Sequence, residues 1–287
     1  MSTLLSIRGL VKEYPRRGAR RGEPPFRAVD EVDLDLEEGT TLAIVGESGS
    51  GKSTTGRCAL RLIEPTAGSV VYDGVDLVGL APDEMRRRRS QMQIVFQDTY
   101  ASLDPRWTVG RLLAEPLELH QRPGRRELRS RIGEMLEIVG LEAAHADRYP
   151  HEFSGGQRQR IGIARALMLK PRLVVCDEPV SALDVSVQAQ VLNLMKDLQD
   201  EFGLSYLFIS HDIAVVEFMA DDVIVMNQGK VVESGRCADV LADPRDPYTR
   251  ALLAAVPEPD PAAARDRASR RAVVEAGLRA AAEEEAG

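Results

Sequence analysis

The stretch Gly46-Glu47-Ser48-Gly49-Ser50-Gly51-Lys52-Ser53-Thr54 decides the fold of this chain of 287 residues. It matches the pattern of Gly, four residues and Gly-Lys-Ser, which is typical of a loop that wraps around phosphate groups. The apolar run 42–45 before it predicts a buried strand, and the residues 53–62 after it predict a helix. Glycines allow backbone N–H groups to point at an anion, and a helix N-terminus adds partial positive charge there. The stretch therefore predicts a nucleoside triphosphate site in which Lys52 reaches the terminal phosphates and Ser53 ligates magnesium.

Composition excludes several other classes of protein. The chain carries 37 basic and 45 acidic residues, a net charge of −8, which argues against binding duplex nucleic acid through a basic face. Three scattered cysteines, Cys58, Cys176 and Cys237, lack the spacing of metal ligands and are expected to be free thiols of a reducing compartment. We find no secretory signal and no run of about 18 apolar residues, the length that a membrane span requires. A cytoplasmic protein is expected.

Periodicity along the chain predicts an α/β core with a helical insertion. Residues 4–14 suggest a strand, and Val32, Leu34 and Leu36 alternate with acidic residues as in a half-buried strand. Strands and helices alternate again after residue 172, with near-continuous apolar strands that are typical of a parallel sheet covered on both faces. Between these parts, about 98–170 is mostly helical. The tail 257–287, rich in Ala, Arg and Glu, is expected to be a solvated helix or disordered.

Polar side chains stand where predicted strands end. Asp177 and Glu178 follow the run 173–176, His211 follows 206–209, and Gln97 follows 92–96. Because ligands bind at the carboxyl ends of parallel strands, these side chains are expected beside the phosphate loop. Asp177 would hold magnesium through water, Glu178 would polarise the attacking water, and the Gln97 amide can touch both. A lone His or Gln at a strand end is also compatible with a purely structural role.

A second anion site follows in the sequence. Ser154, Gly155, Gly156 and Gln157 open a helix, so they combine a capping hydroxyl, glycines that permit close approach and free N–H groups. One chain does not need two phosphate sites for one triphosphate.

These motifs in this order resemble the nucleotide-binding subunit of ATP-binding cassette transporters over roughly residues 3–256. The motifs that carry the resemblance are the phosphate loop, Gln97, Ser154–Gln157, Asp177-Glu178, Ser181-Ala182-Leu183-Asp184 and His211. The resemblance implies a P-loop NTPase core with a mostly parallel sheet, an N-terminal antiparallel β subdomain, an inserted α-helical subdomain at about 98–170 and a C-terminal extension at about 235–256.

The family also implies ATP and Mg²⁺ as cofactors and a head-to-tail dimer with a second such subunit, either a paralogue or a copy of itself. ATP would lie between the phosphate loop of one chain and the signature of the other. The residues implied to hold ATP in their own chain are Tyr14, which would stack on adenine, Gly46, Glu47, Ser48, Gly49, Ser50, Gly51, Lys52, Ser53 and Thr54. Those implied to act across the dimer are Ser154, Gly155, Gly156, Gln157 and Asp184. Glu178, His211, Gln97 and Lys52 would serve catalysis, and Ser53, Gln97 and Asp177 would serve magnesium.

Within this family the chain is most similar to the ATPases of oligopeptide and dipeptide importers. Segments 46–57, 94–98, 100–103, 151–153 and 178–186 carry this likeness, as does Pro247–Leu253 in the C-terminal extension. Two transmembrane permease subunits, an extracytoplasmic solute-binding protein acting indirectly, no nucleic-acid partner and a peripheral position on the inner membrane face are implied. Thr99, Asp104 and Asp246 depart from the branch's usual Pro, Asn and His. Another cargo such as nickel or a glycoside, export, and a soluble cassette ATPase stay open as alternatives.

Overall fold

The computed structural model describes residues 2–15, 24–98 and 102–255. The arginines between 16 and 21, Thr99 and the tail 257–287 lie outside this range. Within it, the strands are β1 (Thr3–Tyr14), β2 (Phe26–Glu37), β3 (Thr41–Val45), β4 (Ala67–Tyr72), β5 (Val75–Asp76), β6 (Met92–Val95), β7 (Leu173–Asp177), β8 (Ser205–Ser210), β9 (Asp222–Asn227) and β10 (Lys230–Arg236). The helices are α1 (Lys52–Ala59), α2 (Pro82–Arg89), α3 (Val109–His120), α4 (Arg125–Ile138), α5 (Gly155–Leu167), α6 (Val185–Phe202), α7 (Ile213–Met219), α8 (Cys237–Ala242) and α9 (Pro247–Ala254).

The described strands form two sheets. An antiparallel sheet has the order β2-β1-β4-β5, and a larger sheet has the order β10-β9-β3-β8-β7-β6. In the larger sheet the neighbours from β9 to β6 run parallel, and β10 pairs antiparallel with β9. The predicted parallel core and the N-terminal antiparallel sheet are thereby confirmed.

The strands of the larger sheet are apolar on both faces. In β7, Leu173 and Val175 face the core shared with the antiparallel sheet, whereas Val174 and Cys176 face the core shared with the helices α3 to α6. This alternation follows from the two-residue period of a strand. Helices α3 to α5 all come between β6 and β7 in the sequence, where the composition predicted a helical insertion.

Element ends differ from the sequence predictions by a few residues. Helix α1 ends at Ala59 rather than at residue 62, because Arg61 adopts a left-handed backbone with φ of 49°. The Arg61 guanidinium there donates hydrogen bonds to the carbonyls of Leu77 and Leu80 at 2.9 and 2.8 Å. A tertiary contact therefore ends the helix earlier than local preference would.

Candidate nucleotide-binding site

The phosphate loop follows β3, a central strand of the larger sheet, and requires glycine at two positions. Gly46 has φ of 149°, and a Cβ there would lie 2.1 Å from the carbonyl oxygen of Met226. Gly51 caps α1 with φ of 103°, and its Cβ would lie 2.3 Å from the carbonyl oxygen of Ala28. No other residue type fits these backbone conformations and close approaches.

The loop presents unused donors around a small cradle. The first intrahelical bond of α1 runs from Thr55 N–H to the Gly51 carbonyl at 2.9 Å, so the N–H groups of residues 52–54 precede it and stay available. The Ser50 hydroxyl is buried without a hydrogen-bond partner among the described residues. These groups, with the glycines, fit a phosphate chain and not an apolar ligand.

Lys52 is held inside this cradle. Its Nζ donates to the carbonyl oxygens of Gly46 and Glu47, each at 2.8 Å, and the residue is only 4% exposed. Burial lowers the pKa of the ammonium, while the nearby carboxylates of Glu178, Asp177 and Glu47 oppose that shift. The positive charge of Lys52 is thus shielded from solvent, and a bound phosphate would neutralise it.

Ser53 and Asp177 meet at the base of the loop. The Ser53 hydroxyl donates to Asp177 Oδ1 at 2.6 Å, and Arg57 Nη2 lies 3.4 Å from Asp177 Oδ2. Asp177 is the last residue of β7 and is 3% exposed. A hydroxyl and a carboxylate at this spacing are oxygen ligands of the kind that Mg²⁺ prefers.

Two strand-end side chains, Gln97 and His211, converge on one carboxylate oxygen of a third, Glu178. Gln97 Nε2 donates to Glu178 Oε2 at 2.9 Å and to the Ser181 hydroxyl at 3.3 Å, and His211 Nδ1 lies 3.2 Å from the same Oε2. Glu178 itself has φ of 50°, a strained conformation for a residue other than glycine. Such strain is found where surrounding structure dictates the position of a functional group, and here the Glu178 N–H is held by the Ile209 carbonyl at 3.0 Å.

Most of these groups line one cleft of about 840 Å³, a volume within the range of small-molecule sites, whereas the buried Ser50 and Asp177 lie behind its lining. Its lining residues are Tyr14, Phe26, Ala28, Gly46, Glu47, Ser48, Gly49, Gly51, Lys52, Ser53, Thr54, Gln97, Glu178, His211 and Leu252. The two aromatic side chains, Tyr14 and Phe26, are directly paired across β1 and β2, and the Lys12 ammonium lies 5.1 Å from the centre of the Tyr14 ring.

The family resemblance implies that Tyr14 stacks on adenine, so replacing Tyr14 by Ala is expected to weaken ATP binding roughly tenfold, because stacking of a base on an aromatic ring contributes about 1–3 kcal/mol. Tyr14→Phe keeps the ring and is expected to bind ATP as the wild type does. Calorimetric titration of both variants, with Tyr149→Ala as a surface control, measures the difference. Equal affinities of Tyr14→Ala and the wild type would remove Tyr14 from the adenine site.

The second anion motif lies elsewhere in the same chain. Ser154 caps α5 by accepting from Gln157 N–H at 3.3 Å, and the Gln157 side chain accepts from Ser154 N–H at 3.0 Å. A Cβ on Gly156 would lie 2.3 Å from Val187 Cγ1, which explains that glycine by packing. None of the motif residues Ser154–Gln157 nor Asp184 is among the residues that line the cleft.

The sequence profile of the ABC transporter family matches residues 29–181, which carry the phosphate loop, the α5 motif and Glu178. The chain belongs to the ABC transporter family. A second profile, the C-terminal region of oligopeptide/dipeptide transporters, matches residues 232–278. The chain is therefore an ABC ATPase, and it binds ATP. Among the described residues, none of the helices has both the length and the hydropathy that crossing a bilayer requires.

Relatives of high identity carry names from peptide transport. The chain is 53% identical over 264 residues to a Brucella ovis protein named as a peptide import ATP-binding protein. This match covers 92% of this chain and 82% of the relative. It is 52% identical over 265 residues to the dipeptide transport ATP-binding protein DppF of Escherichia coli, covering 92% and 79%. It is 55% identical over 242 residues to the oligopeptide transport ATP-binding protein OppF of the same organism, covering 83% and 72%.

Solved ABC cassettes share the fold. A dimeric ATP-binding cassette in a post-hydrolysis state, bound to ADP and Pi, superposes with a TM-score of 0.72 at 32% identity, covering 81% of this chain and 98% of that one. The cbiO1 protein of Clostridium perfringens, part of the transporter complex cbiONQ, superposes with a TM-score of 0.74 at 26% identity, covering 85% and 92%.

The cleft also contains residues that the sequence did not suggest. Phe26 and Leu252 line it, and the Tyr248 hydroxyl contacts the loop at Glu47 N–H. Phe26 begins β2 directly opposite Tyr14, the last residue of β1, and this relation is visible only once the strands are paired. Tyr248 and Leu252 belong to a recognisable motif of the C-terminal extension, but nothing in their spacing indicates the phosphate loop as their neighbour.

Proposed function

We propose that this chain is the ATP-hydrolysing subunit of a peptide importer, with Glu178 as general base. The convergence of Gln97 and His211 on Glu178 Oε2, beside the phosphate loop, is the observation that carries the catalytic part. Names of relatives and the C-terminal region support the peptide part.

The residues divide the work of hydrolysis. Lys52 and the N–H groups at the start of α1 bind the phosphates, and Glu178 takes the proton of the attacking water. Gln97 and His211 orient the Glu178 carboxylate through Oε2, which directs its other oxygen to the water. Each of these side chains is held before ATP arrives, so little reorganisation accompanies the reaction.

Ser53, Gln97 and Asp177 would hold Mg²⁺. The hydroxyl of Ser53 and the amide oxygen of Gln97 are hard oxygen donors, and Asp177 would act through water. When bound, the ion neutralises charge that develops on the phosphates. The Ser53 hydroxyl donates a hydrogen bond to Asp177 Oδ1 at 2.6 Å, and this bond keeps both oxygen ligands in place.

A second ATPase subunit, a paralogue or a copy of this chain, would complete the site. Ser154, Gly155, Gly156, Gln157 and Asp184 of each chain would then face the ATP of the other. Their placement away from the chain's own cleft supports this arrangement, as does the exposure of Ser154 at the N-terminus of α5. ATP would favour the closed pair because it contacts both chains only there.

Replacing Gly155 by Asp is expected to abolish ATP-dependent pairing while ATP still binds to the single chain. A Cβ at Gly155 meets only Leu183 Cδ2 at 3.5 Å, and a carboxylate suits the first turn of a helix, so the variant should fold. The new charge would repel the partner's phosphates. Light scattering with ATP in a Glu178→Gln background, with the paralogue added where the chain alone stays monomeric, measures pairing.

Gly124→Asp supplies the matched control. It introduces the same charge at the start of α4, where a Cβ meets nothing within 4 Å. Pairing that persists in Gly155→Asp as it does in Gly124→Asp would contradict a role of the α5 N-terminus across the dimer.

The permease subunits would dock beside Gln97. A groove of about 270 Å³ lies there between the end of β6 and the helices α3 and α5, with Phe96, Leu103, Pro116 and Leu119 among its lining residues. Phe96 and Leu119 are exposed apolar side chains, and Phe96 directly precedes Gln97. Gln97 would thus connect the ATP cleft to the membrane partner, at the inner face of the cell membrane.

Purification of the intact membrane complex tests the cargo. With its solute-binding protein in liposomes, the complex is expected to hydrolyse ATP faster when di- or oligopeptides are supplied outside. Stimulation by nickel or a glycoside and not by peptides, or transport in the outward direction, would contradict peptide import.

A further inference from the structure

The C-terminal helix α9 touches the phosphate loop. Its Tyr248 hydroxyl accepts a hydrogen bond from the backbone N–H of Glu47 at 3.1 Å, although the two residues stand 201 positions apart. One turn later, Leu252 lines the nucleotide cleft. Positions i and i+4 of a helix lie on one face, so this face of α9 forms part of the wall of the cleft.

The Glu47 N–H belongs to the same peptide group as the Gly46 carbonyl, and that carbonyl accepts from Lys52 Nζ at 2.8 Å. In a planar trans peptide, N–H and C=O point in opposite directions from one rigid plate. The Tyr248 hydroxyl at one end and the Lys52 ammonium at the other therefore fix the rotation of this plate together. Hydrogen bonds at both ends also polarise the peptide and strengthen each other.

Helix α9 is anchored independently of the cleft. Glu233 of β10 accepts from the backbone N–H groups of Arg245 and Asp246 at 2.7 and 3.1 Å. The Asp246 side chain then caps α9 by accepting from Tyr248 N–H at 2.8 Å. Asp246, where this branch usually has histidine, thus caps the start of α9 well. Through Glu233 it also fixes the position of Tyr248 relative to β10.

The ring of Tyr248 packs with Leu252 and Leu253 against the apolar core beneath β3 and β9. This packing does not depend on the hydroxyl. The ring and the hydroxyl therefore have separable roles: the ring holds the helix to the domain, and the hydroxyl reaches the phosphate loop.

We propose that Tyr248 is a positioning residue of the ATP site, which holds the Gly46–Glu47 peptide so that Lys52 is presented to the terminal phosphates. The C-terminal extension thereby tunes the affinity for nucleotides that carry those phosphates. The inference rests on the proposed role of Lys52 in binding the terminal phosphates.

Tyr248→Phe removes the hydroxyl and keeps the ring. The dissociation constants for ATP and ADP are expected to rise about 3–10-fold, the usual effect of losing one hydrogen bond. The affinity for AMP, measured by competition at millimolar concentration, is expected to stay at the wild-type value because Lys52 reaches only the outer phosphates. Tyr206→Phe is the matched control, since it removes a hydroxyl that donates to the Met195 carbonyl at 3.0 Å, away from the cleft.

Two outcomes would overturn the proposal. One is unchanged affinity of Tyr248→Phe for ATP and ADP; the other is an equal loss for AMP, ADP and ATP, which would indicate general loosening of the domain. A wild-type protein that binds AMP as tightly as ATP would instead refute the role of Lys52, so the two failures are distinguishable.

Discussion

Replacing Glu178 by Gln is expected to lower ATP turnover by about 10²–10⁴-fold, the usual contribution of a general base. Glutamine keeps the shape of the side chain but cannot accept the proton of the attacking water. Gln97 Nε2 and His211 Nδ1 both lie within 3.2 Å of Glu178 Oε2, so together they orient this carboxylate. ATP binding is expected to persist, because Glu178 adds no positive charge or phosphate donor to the cleft.

Steady-state hydrolysis and ATP titration of the same preparation separate these two effects. Glu201→Gln, at an exposed position near the end of α6, changes the same group away from the cleft and is expected to leave turnover unaltered. Near-normal hydrolysis by Glu178→Gln would refute the assignment of the general base.

Replacing Lys52 by Ala is expected to weaken ATP binding by about 10²-fold, since hydrogen bonds to charged groups contribute about 1.5–3 kcal/mol each. The ammonium is nearly buried and already directed by two carbonyls, so phosphate oxygens gain a preformed cation. Its loss leaves the N–H groups of the loop as the remaining phosphate donors.

Thermal unfolding with and without ATP distinguishes lost binding from lost folding. Burial lowers the Lys52 pKa, so the folded chain binds this proton less tightly than the unfolded chain. The free energy of unfolding therefore rises with pH between the lowered pKa of the folded chain and the ordinary lysine pKa of the unfolded chain. Deleting the ammonium relieves this desolvation penalty but also removes its hydrogen bonds to the Gly46 and Glu47 carbonyls, so the two effects oppose each other. We therefore expect little change in the midpoint of the ligand-free protein but loss of the rise that ATP causes.

Lys196→Ala on α6 serves as the control for a lysine outside the cleft, and it is expected to retain the full ATP-induced rise. A Lys52→Ala protein that ATP stabilises as much as the wild type would contradict the proposed role of this residue.

The convergence of the site was predictable because it depends on strand direction alone. Once β3, β6, β7 and β8 are parallel, the residues after each strand must meet at one edge. Ser53, Gln97, Glu178 and His211 therefore could be placed together before any strand order was known. The order β9-β3-β8-β7-β6 itself leaves no trace in the local sequence.

Contacts fixed by tertiary structure were not predictable. The left-handed backbone of Glu178 depends on its neighbours on β8, and the early end of α1 depends on carbonyls of Leu77 and Leu80. The bond between Tyr248 and Glu47 joins the last described helix to the first loop of the core. Each of these arises between segments that are distant in sequence, where periodicity carries no information.

The dependence of ATP turnover on protein concentration tests most directly whether the cleft is half of a composite catalytic site. Turnover per molecule of this chain, alone or mixed with a paralogous ATPase, is expected to rise with concentration until pairing saturates. It is expected to collapse in both Glu178→Gln and Gly155→Asp. Turnover per molecule that is the same at every concentration and unaffected by Gly155→Asp would show that one chain hydrolyses ATP by itself.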